Sequence, residues 1–236
     1  MNAAARWLFT VLVLIGWRVA AAAAVPPAGL DDLPLHEVPA SGPRTDLMAV
    51  MLSGDGGWAA LDRGVARTLA QSGVAVIGWD SLRYFWTART PEEAGRDLAR
   101  VLRRYLRTWS RSRVIVIGYS TGADALPFMV NRLPQDLRDR LALVALLAPA
   151  GKAFFEFHVT QWIGASRGGL AVAPELARLA GAGVLCIHGA DDPQASCAGP
   201  AKKHHMTAQL PGGHHFDRDY PALARRILQA VPARQH

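Results

Sequence analysis

Cysteine is nearly absent from this chain: only Cys186 and Cys197 occur in 236 residues. Without histidines at matched spacing, the two make a poor zinc site. They can pair only in an oxidising compartment, and only if their Cα atoms come within bonding distance. The sequence leaves that pairing open. Low-complexity segments are missing too, since the 15 prolines and 22 glycines are spread out. No internal repeat is apparent, which argues against a solenoid. Acids are scarce beside bases, 19 against 26, giving a formal charge of +7. No nucleic-acid recognition motif accompanies that charge, so direct nucleic-acid binding is not expected. Attraction to an anionic membrane surface is the alternative use of it.

What is present reads as a globular chain, 50% hydrophobic and 19% charged. The length suits one domain with a substantial core. The N-terminus has a signal-peptide layout. Arg6 precedes the short apolar run "WLFTVLVLIGW", and "AAAAV" supplies small residues for cleavage near Ala22 to Ala24. Arg18 interrupts the apolar run and leaves it too short to span a membrane comfortably. No lipobox cysteine is present for lipid attachment. Residues 1–24 are therefore expected to be a cleaved signal peptide and 25–45 a leader, with the domain over 46–236. Export to the periplasm follows. Loss of Arg6 and Arg18 lowers the formal charge from +7 to +5.

Apolar runs then alternate with helical patterns. Strands are expected near 35–38, 47–53, 74–79, 113–119, 141–148, 183–189 and 206–211. Helices are expected over 57–73, 91–109, 121–133 and 220–231. Pro91, Glu92 and Glu93 suit the first turn of the second helix. The strand runs are continuously apolar, which indicates strands covered on both faces. Alternation with helices makes the sheet mostly parallel and doubly wound. Residues 149–172 break the rhythm and carry Phe154, Phe155, Phe157 and Trp162. A cap over the site and ordinary packing are both open for them.

"VIVIGYSTGAD" puts a serine between glycines at a strand-to-helix junction. Such a turn pushes the Ser120 side chain out above the sheet, beside the free N–H groups of a helix N-terminus. A serine nucleophile needs a base and an orienting acid. In an α/β-hydrolase fold these follow at the ends of later strands, in the order serine, acid, histidine. Asp191-Asp192 follows "VLCIHG", and His214-His215 follows "MTAQLPGG". Asp192 and His214 are the favoured members, with Asp191 and His215 as alternatives. The oxyanion hole is assigned to the backbone amides of Thr121 and Asp55, with Gly56 as second choice for the latter. His188, His204 and His205 are given surface or structural roles. No cofactor or metal is needed.

"LSGDGGW", "WDSLRYFWTARTPEEAGRDLARVL", "GYSTGADALPFMVNRLP", "FEFHVTQWIG" and "GGHHFDRDY" together resemble the bacterial virulence protein VirJ family. That family includes the C-terminal domain of AcvB. The resemblance implies an exported α/β-hydrolase and, for AcvB-type members, hydrolysis of lysyl-phosphatidylglycerol. It also implies links to type IV secretion proteins. Asp55, Asp124 and Glu156 are candidates to meet the substrate's ammonium groups, although for Asp124 a first-turn helix role favoured by the dipole is preferred. Tyr84, Phe85 and Trp86 are candidates for an acyl or headgroup surface, or else for the core. The alternatives to a lipid hydrolase are a non-catalytic scaffold or chaperone of a secretion machine, and a general esterase or thioesterase.

Overall fold

A computed structural model of the chain describes residues 29–157, 168–179, 183–197 and 205–233. The expected signal peptide, Trp162 and His204 lie outside the described residues. Seven strands form the main sheet: β1 (Leu35–Val38), β2 (Leu47–Leu52), β3 (Ala75–Trp79), β4 (Arg113–Tyr119), β5 (Leu141–Leu147), β8 (Gly183–Gly189) and β9 (His205–Leu210). Between β5 and β8, Lys152–Ala153 (β6) and Leu170–Ala171 (β7) form a separate two-stranded ladder. The main sheet has the order β1-β3-β2-β4-β5-β8-β9. Only β1 runs antiparallel, at the edge beside β3.

Both faces are covered, as the apolar runs require. Met48, Val50 and Leu52 of β2 pack with Val114 and Val116 of β4 in one core. That core includes Leu98 and Leu102 of α3 (Pro91–Thr108) and Leu126 of α4 (Thr121–Asn131), with Leu176 of α6 (Val172–Arg178). Ala49 and Met51 point the other way, with Ile115 and Ile117. They meet Val65 and Leu69 of α1 (Ala60–Gln71), and Leu223 and Ile227 of α7 (Tyr220–Ala230). The short helices α2 (Ser81–Tyr84) and α5 (Gln135–Arg138) complete the connections.

Local chemistry explains the helix ends. Thr90 caps α3: its hydroxyl accepts the Glu93 N–H at 3.1 Å, and Glu93 accepts the Thr90 N–H at 2.8 Å. Gly73, just past α1, has φ +85°, and a Cβ there would lie 1.7 Å from the Pro43 carbonyl oxygen. Glycine is thus required at that corner.

The chain leaves β2 for β3 on one side and later returns to place β4 on the other. The crevice at the ends of β2 and β4 is therefore a topological switch point, where open α/β sheets bind ligands.

Of the 149–172 segment, residues 149–157 and 168–172 are described. Phe155 is buried and packs edge-on against Phe85 at 5.6 Å and Phe128 at 5.5 Å. The Phe85 and Phe155 carbonyls accept the N–H groups of Phe157 and Arg89, respectively. Phe155 is thus core packing rather than a cap, residues 168–171 are exposed, and residues 158–167 lie outside the described set. Tyr84 and Phe85 are likewise core, each 2% exposed, while Trp86 stands out at 64% and stacks on Phe157.

Candidate active site

The turn between β4 and α4 is as tight as its glycines imply. A Cβ on Gly118 would lie 2.5 Å from the Gly122 carbonyl oxygen. One on Gly122 would lie 2.5 Å from the Ser53 carbonyl oxygen and 2.7 Å from that of Leu52. Ser120 itself sits at φ 51°, ψ −120°. A side chain there costs on the order of 1–3 kcal/mol, a strain that functional turns retain. The conformation lifts Ser120 Oγ above the sheet and leaves Thr121 as the first residue of α4. The Thr121 amide is one of the four at a helix start with no intrahelical acceptor.

His214 arrives on the loop after β9. Its Nε2 lies 3.0 Å from Ser120 Oγ, and its Nδ1 lies 2.7 Å from Asp192 Oδ2. Asp192 comes from the loop after β8 and its side chain is 2% exposed. Its other oxygen accepts the Gln194 N–H at 3.1 Å. A carboxylate only accepts, so Nδ1 carries the proton and Nε2 is left to accept from the serine hydroxyl. Of each doublet, then, the structure brings Asp192 and His214 to Ser120. Asp191 is exposed and bonds through its N–H to the Gly212 carbonyl. The His215 Nδ1 turns to Tyr119 Oη at 2.8 Å.

Tyr119 is a participant that sequence reasoning passed over. Its hydroxyl also donates to the His214 carbonyl at 3.2 Å, and its ring lies 5.5 Å from the His214 ring. It braces the histidine loop from the residue just before the nucleophile. Burial pushes its pKa up, helped by the negative charges of Asp62, Asp55 and Asp192. The histidine loop is itself strained. Phe216, Asp217 and Arg218 all have positive φ, and buried Phe216 anchors them.

The loop after β2 closes the other side. A Cβ on Gly54 would touch the Tyr119 ring at 3.2 Å and Ser120 Cβ at 3.4 Å. The backbone there thus approaches the nucleophile closely, as an oxyanion-hole strand must. The Gly54 carbonyl accepts the Gly57 N–H at 3.1 Å, closing a turn that holds Asp55 and Gly56.

These elements line a cavity of about 700 Å³. Ser120, His214, Asp55, Asp62, Arg218 and Tyr220 are among its walls. Of the three carboxylates expected to meet an ammonium group, only Asp55 lines it. Asp124 is buried instead, and its oxygens accept the N–H groups of Gly151 at 2.8 Å and Ala150 at 3.2 Å. It ties α4 to the loop after β5. Burial pushes its carboxyl up to about 7. Glu156 is exposed, away from the cavity wall. Asp62 and Arg218 were not anticipated. Asp62 sits inside the amphipathic pattern of α1, where spacing alone reads it as a helix residue.

Cys186 and Cys197 are joined in a disulfide, with Cα atoms 5.7 Å apart. The bridge closes the loop that carries Asp192. Among the described residues, no group of three or more His, Cys, Asp or Glu side chains could hold a metal ion.

A mostly parallel sheet, helices on both faces and a serine on the strand-to-helix turn define an α/β-hydrolase fold. Solved structures agree at the level of fold. Est1E from Butyrivibrio proteoclasticus matches with a TM-score of 0.57 at 16% identity, over 85% of this chain and 96% of that one. The esterase domain of a Rhodothermus marinus protein matches at 0.59 and 14%, over 84% and 91%. An alpha-beta serine hydrolase homologue from Coxiella burnetii matches at 0.59 and 12%, over 84% and 91%. No protein of curated function matches the chain in sequence. Residues 46–235 match the family model described as bacterial virulence protein (VirJ), and the chain belongs to that family.

Proposed function

We propose that the chain is an exported serine hydrolase that cleaves carboxylic esters, with the aminoacyl ester of lysyl-phosphatidylglycerol as its substrate. One observation carries the hydrolase reading: Ser120, His214 and Asp192 form a continuous hydrogen-bonded relay of 3.0 and 2.7 Å.

In this reading Ser120 Oγ attacks the ester carbonyl while its proton passes to His214 Nε2. The Asp192 carboxylate stabilises the imidazolium through Nδ1. The Thr121 and Asp55 amides hold the oxyanion. Collapse breaks the ester C–O bond, and the imidazolium gives its proton to the departing alkoxide oxygen, which leaves as the glycerol hydroxyl. Water then loses a proton to Nε2 and attacks the lysyl-serine ester, releasing lysine and restoring Ser120.

Three things support the finer substrate. The acidic Asp55 and the basic Arg218 are among the residues lining the cavity. A lysyl-phosphatidylglycerol headgroup offers the complementary set, ammonium groups and one phosphate. Its ester is activated by the neighbouring α-ammonium, so a triad suffices. Membership of the VirJ family points the same way. The signal-like N-terminus and the disulfide support a periplasmic site of action at an anionic membrane face. Contact with secretion-machinery proteins rests on family membership alone.

The test is lysine release from vesicles containing lysyl-phosphatidylglycerol. Wild-type protein is expected to release lysine, and Ser120→Ala to release none. Cleavage of simple esters without lysine release leaves a general esterase and removes the lipid substrate. Equal release by Ser120→Ala overturns the mechanism.

A further inference from the structure

A second cavity, of about 440 Å³, shares no residue with the catalytic one. Its walls carry four arginines, Arg103, Arg107, Arg111 and Arg140, and a single acid, Asp136. Arg103 and Arg107 stand one turn apart near the end of α3, on one face of that helix. Arg111 belongs to the turn into β4, and its N–H donates to the Leu106 carbonyl at 2.9 Å. Arg140 directly precedes β5, and its carbonyl accepts the Val114 N–H at 2.9 Å. Backbone bonds thus fix where the walls stand. Leu106 and buried Leu137 line the cavity as well, and apolar walls concentrate the field of the charges beside them. Ser120 follows the far end of β4, about 20 Å along the strand.

The positive charges are poorly answered. Arg103 comes within 3.7 Å of Asp136, but both side chains are more than half exposed, so that pair is weak. Among the described residues, Arg107, Arg111 and Arg140 form no ion pair. They bond only to neutral backbone carbonyls: Arg107 Nε to that of Arg103 at 3.2 Å, Arg140 Nη1 to that of Ser112 at 3.5 Å, and Arg111 Nη1 to that of Thr45. Arg111 is half-buried where the other three are exposed. Burial and the like charge of Arg44 hold it below the usual guanidinium range, with Asp46 offsetting them only in part.

We propose that this cavity binds a phosphate group, in a monoester or diphosphate anion, at a site separate from the catalytic one. Guanidiniums suit that ligand because they offer paired N–H donors to phosphate oxygens. The anion meets the exposed side chains of Arg103, Arg107 and Arg140. It relieves Arg111 through space and has no need to touch the enclosed Nε of that residue. The phosphate belongs either to a soluble molecule or to a lipid headgroup. The position favours the soluble one, because a bilayer held here would lie at the opposite end of the sheet from Ser120.

The test is calorimetric titration with inorganic pyrophosphate at fixed ionic strength. Wild-type protein is expected to bind it at one site, and a variant carrying Arg107→Gln and Arg140→Gln to bind at least tenfold more weakly. Arg225→Gln, at an exposed arginine of α7 outside the cavity, should bind as wild type does. Thermal melts check that each variant is folded, and Arg107→Gln alone provides the comparison should the double variant fail. In a second arm the same proteins are floated with phosphatidylcholine vesicles, with and without phosphatidic acid. Flotation that needs phosphatidic acid and is lost in the double variant assigns the phosphate to a headgroup. Pyrophosphate binding without flotation assigns it to a soluble molecule. Absence of both overturns the proposal. So does pyrophosphate binding that the double variant leaves unchanged, or that Arg225→Gln weakens equally, since either marks general attraction to a basic protein.

Discussion

Replacing Asp192 by asparagine changes one atom and is expected to nearly abolish ester hydrolysis. Asp192 Oδ1 accepts the Gln194 N–H at 3.1 Å, and Oδ2 faces His214 Nδ1 at 2.7 Å. An asparagine keeps the first bond by placing its oxygen there. Its NH2 group then faces His214 and donates to Nδ1. The histidine proton must move to Nε2, which sits 3.0 Å from Ser120 Oγ. Nε2 can no longer accept the serine proton. The same tautomer trap in serine proteases lowers kcat by about 10⁴, or about 5 kcal/mol. Because the substitution is nearly isosteric, the melting temperature should barely move. Steady-state hydrolysis of p-nitrophenyl acetate measures the effect. Asp191→Asn, at the exposed neighbour, should stay within about threefold of wild type. A folded Asp192→Asn within tenfold of wild type, or a dead Asp191→Asn, would refute the assignment of the acid.

Other outcomes follow from the same geometry. His214→Ala should eliminate hydrolysis, whereas His215→Ala should retain it at a reduced rate, because His214 bonds both Ser120 and Asp192 while His215 bonds Tyr119. Gly122→Ala should lose about 1–3 kcal/mol in urea unfolding, since its methyl would sit 2.5 Å from the Ser53 carbonyl oxygen. Reduction of the disulfide, which spans 11 positions, should cost about 3 kcal/mol by loop-closure entropy. It should also slow hydrolysis, because Asp192 lies inside the closed loop. Asp124 should make stability depend on pH. Burial raises its carboxyl from 3.8 to about 7 in the folded chain, so the folded state binds this proton more tightly than the unfolded one. Its contribution is full below about pH 4 and is lost as pH rises through 7. Asp124→Asn should therefore gain on wild type by up to about 4 kcal/mol between pH 4 and 8, measured by urea unfolding. A constant difference across that range would contradict the buried carboxyl.

The sequence carried the sheet because its strands are apolar throughout and its helices amphipathic. Each expected strand and helix recurs within a few residues at its ends, including the edge strand at 35–38. Gly118 and Gly122 were readable because steric demand leaves glycine alone at those positions. The doublets could not be resolved by spacing. Asp191 and Asp192, like His214 and His215, differ by one residue, and only the direction of each side chain separates them. Asp124 reads in the sequence as a first-turn helix residue more readily than as an ammonium partner, but its spacing does not show that the loop after β5 folds over it and donates two N–H groups. Tyr119 and Asp62 were invisible as site residues because each also fits its local element, one as the end of a strand and one as a helix cap. Phe85 reads as a lipid surface or as core, and Phe155 as part of a cap or as ordinary packing; burial decides for core at both.

Peptide mapping after a fluorophosphonate reaction tests the central claim most directly. The folded wild-type protein should carry a single covalent adduct on Ser120, and Ser120→Ala should carry none. Folded protein that stays unlabelled, or an adduct on another residue, would contradict the account.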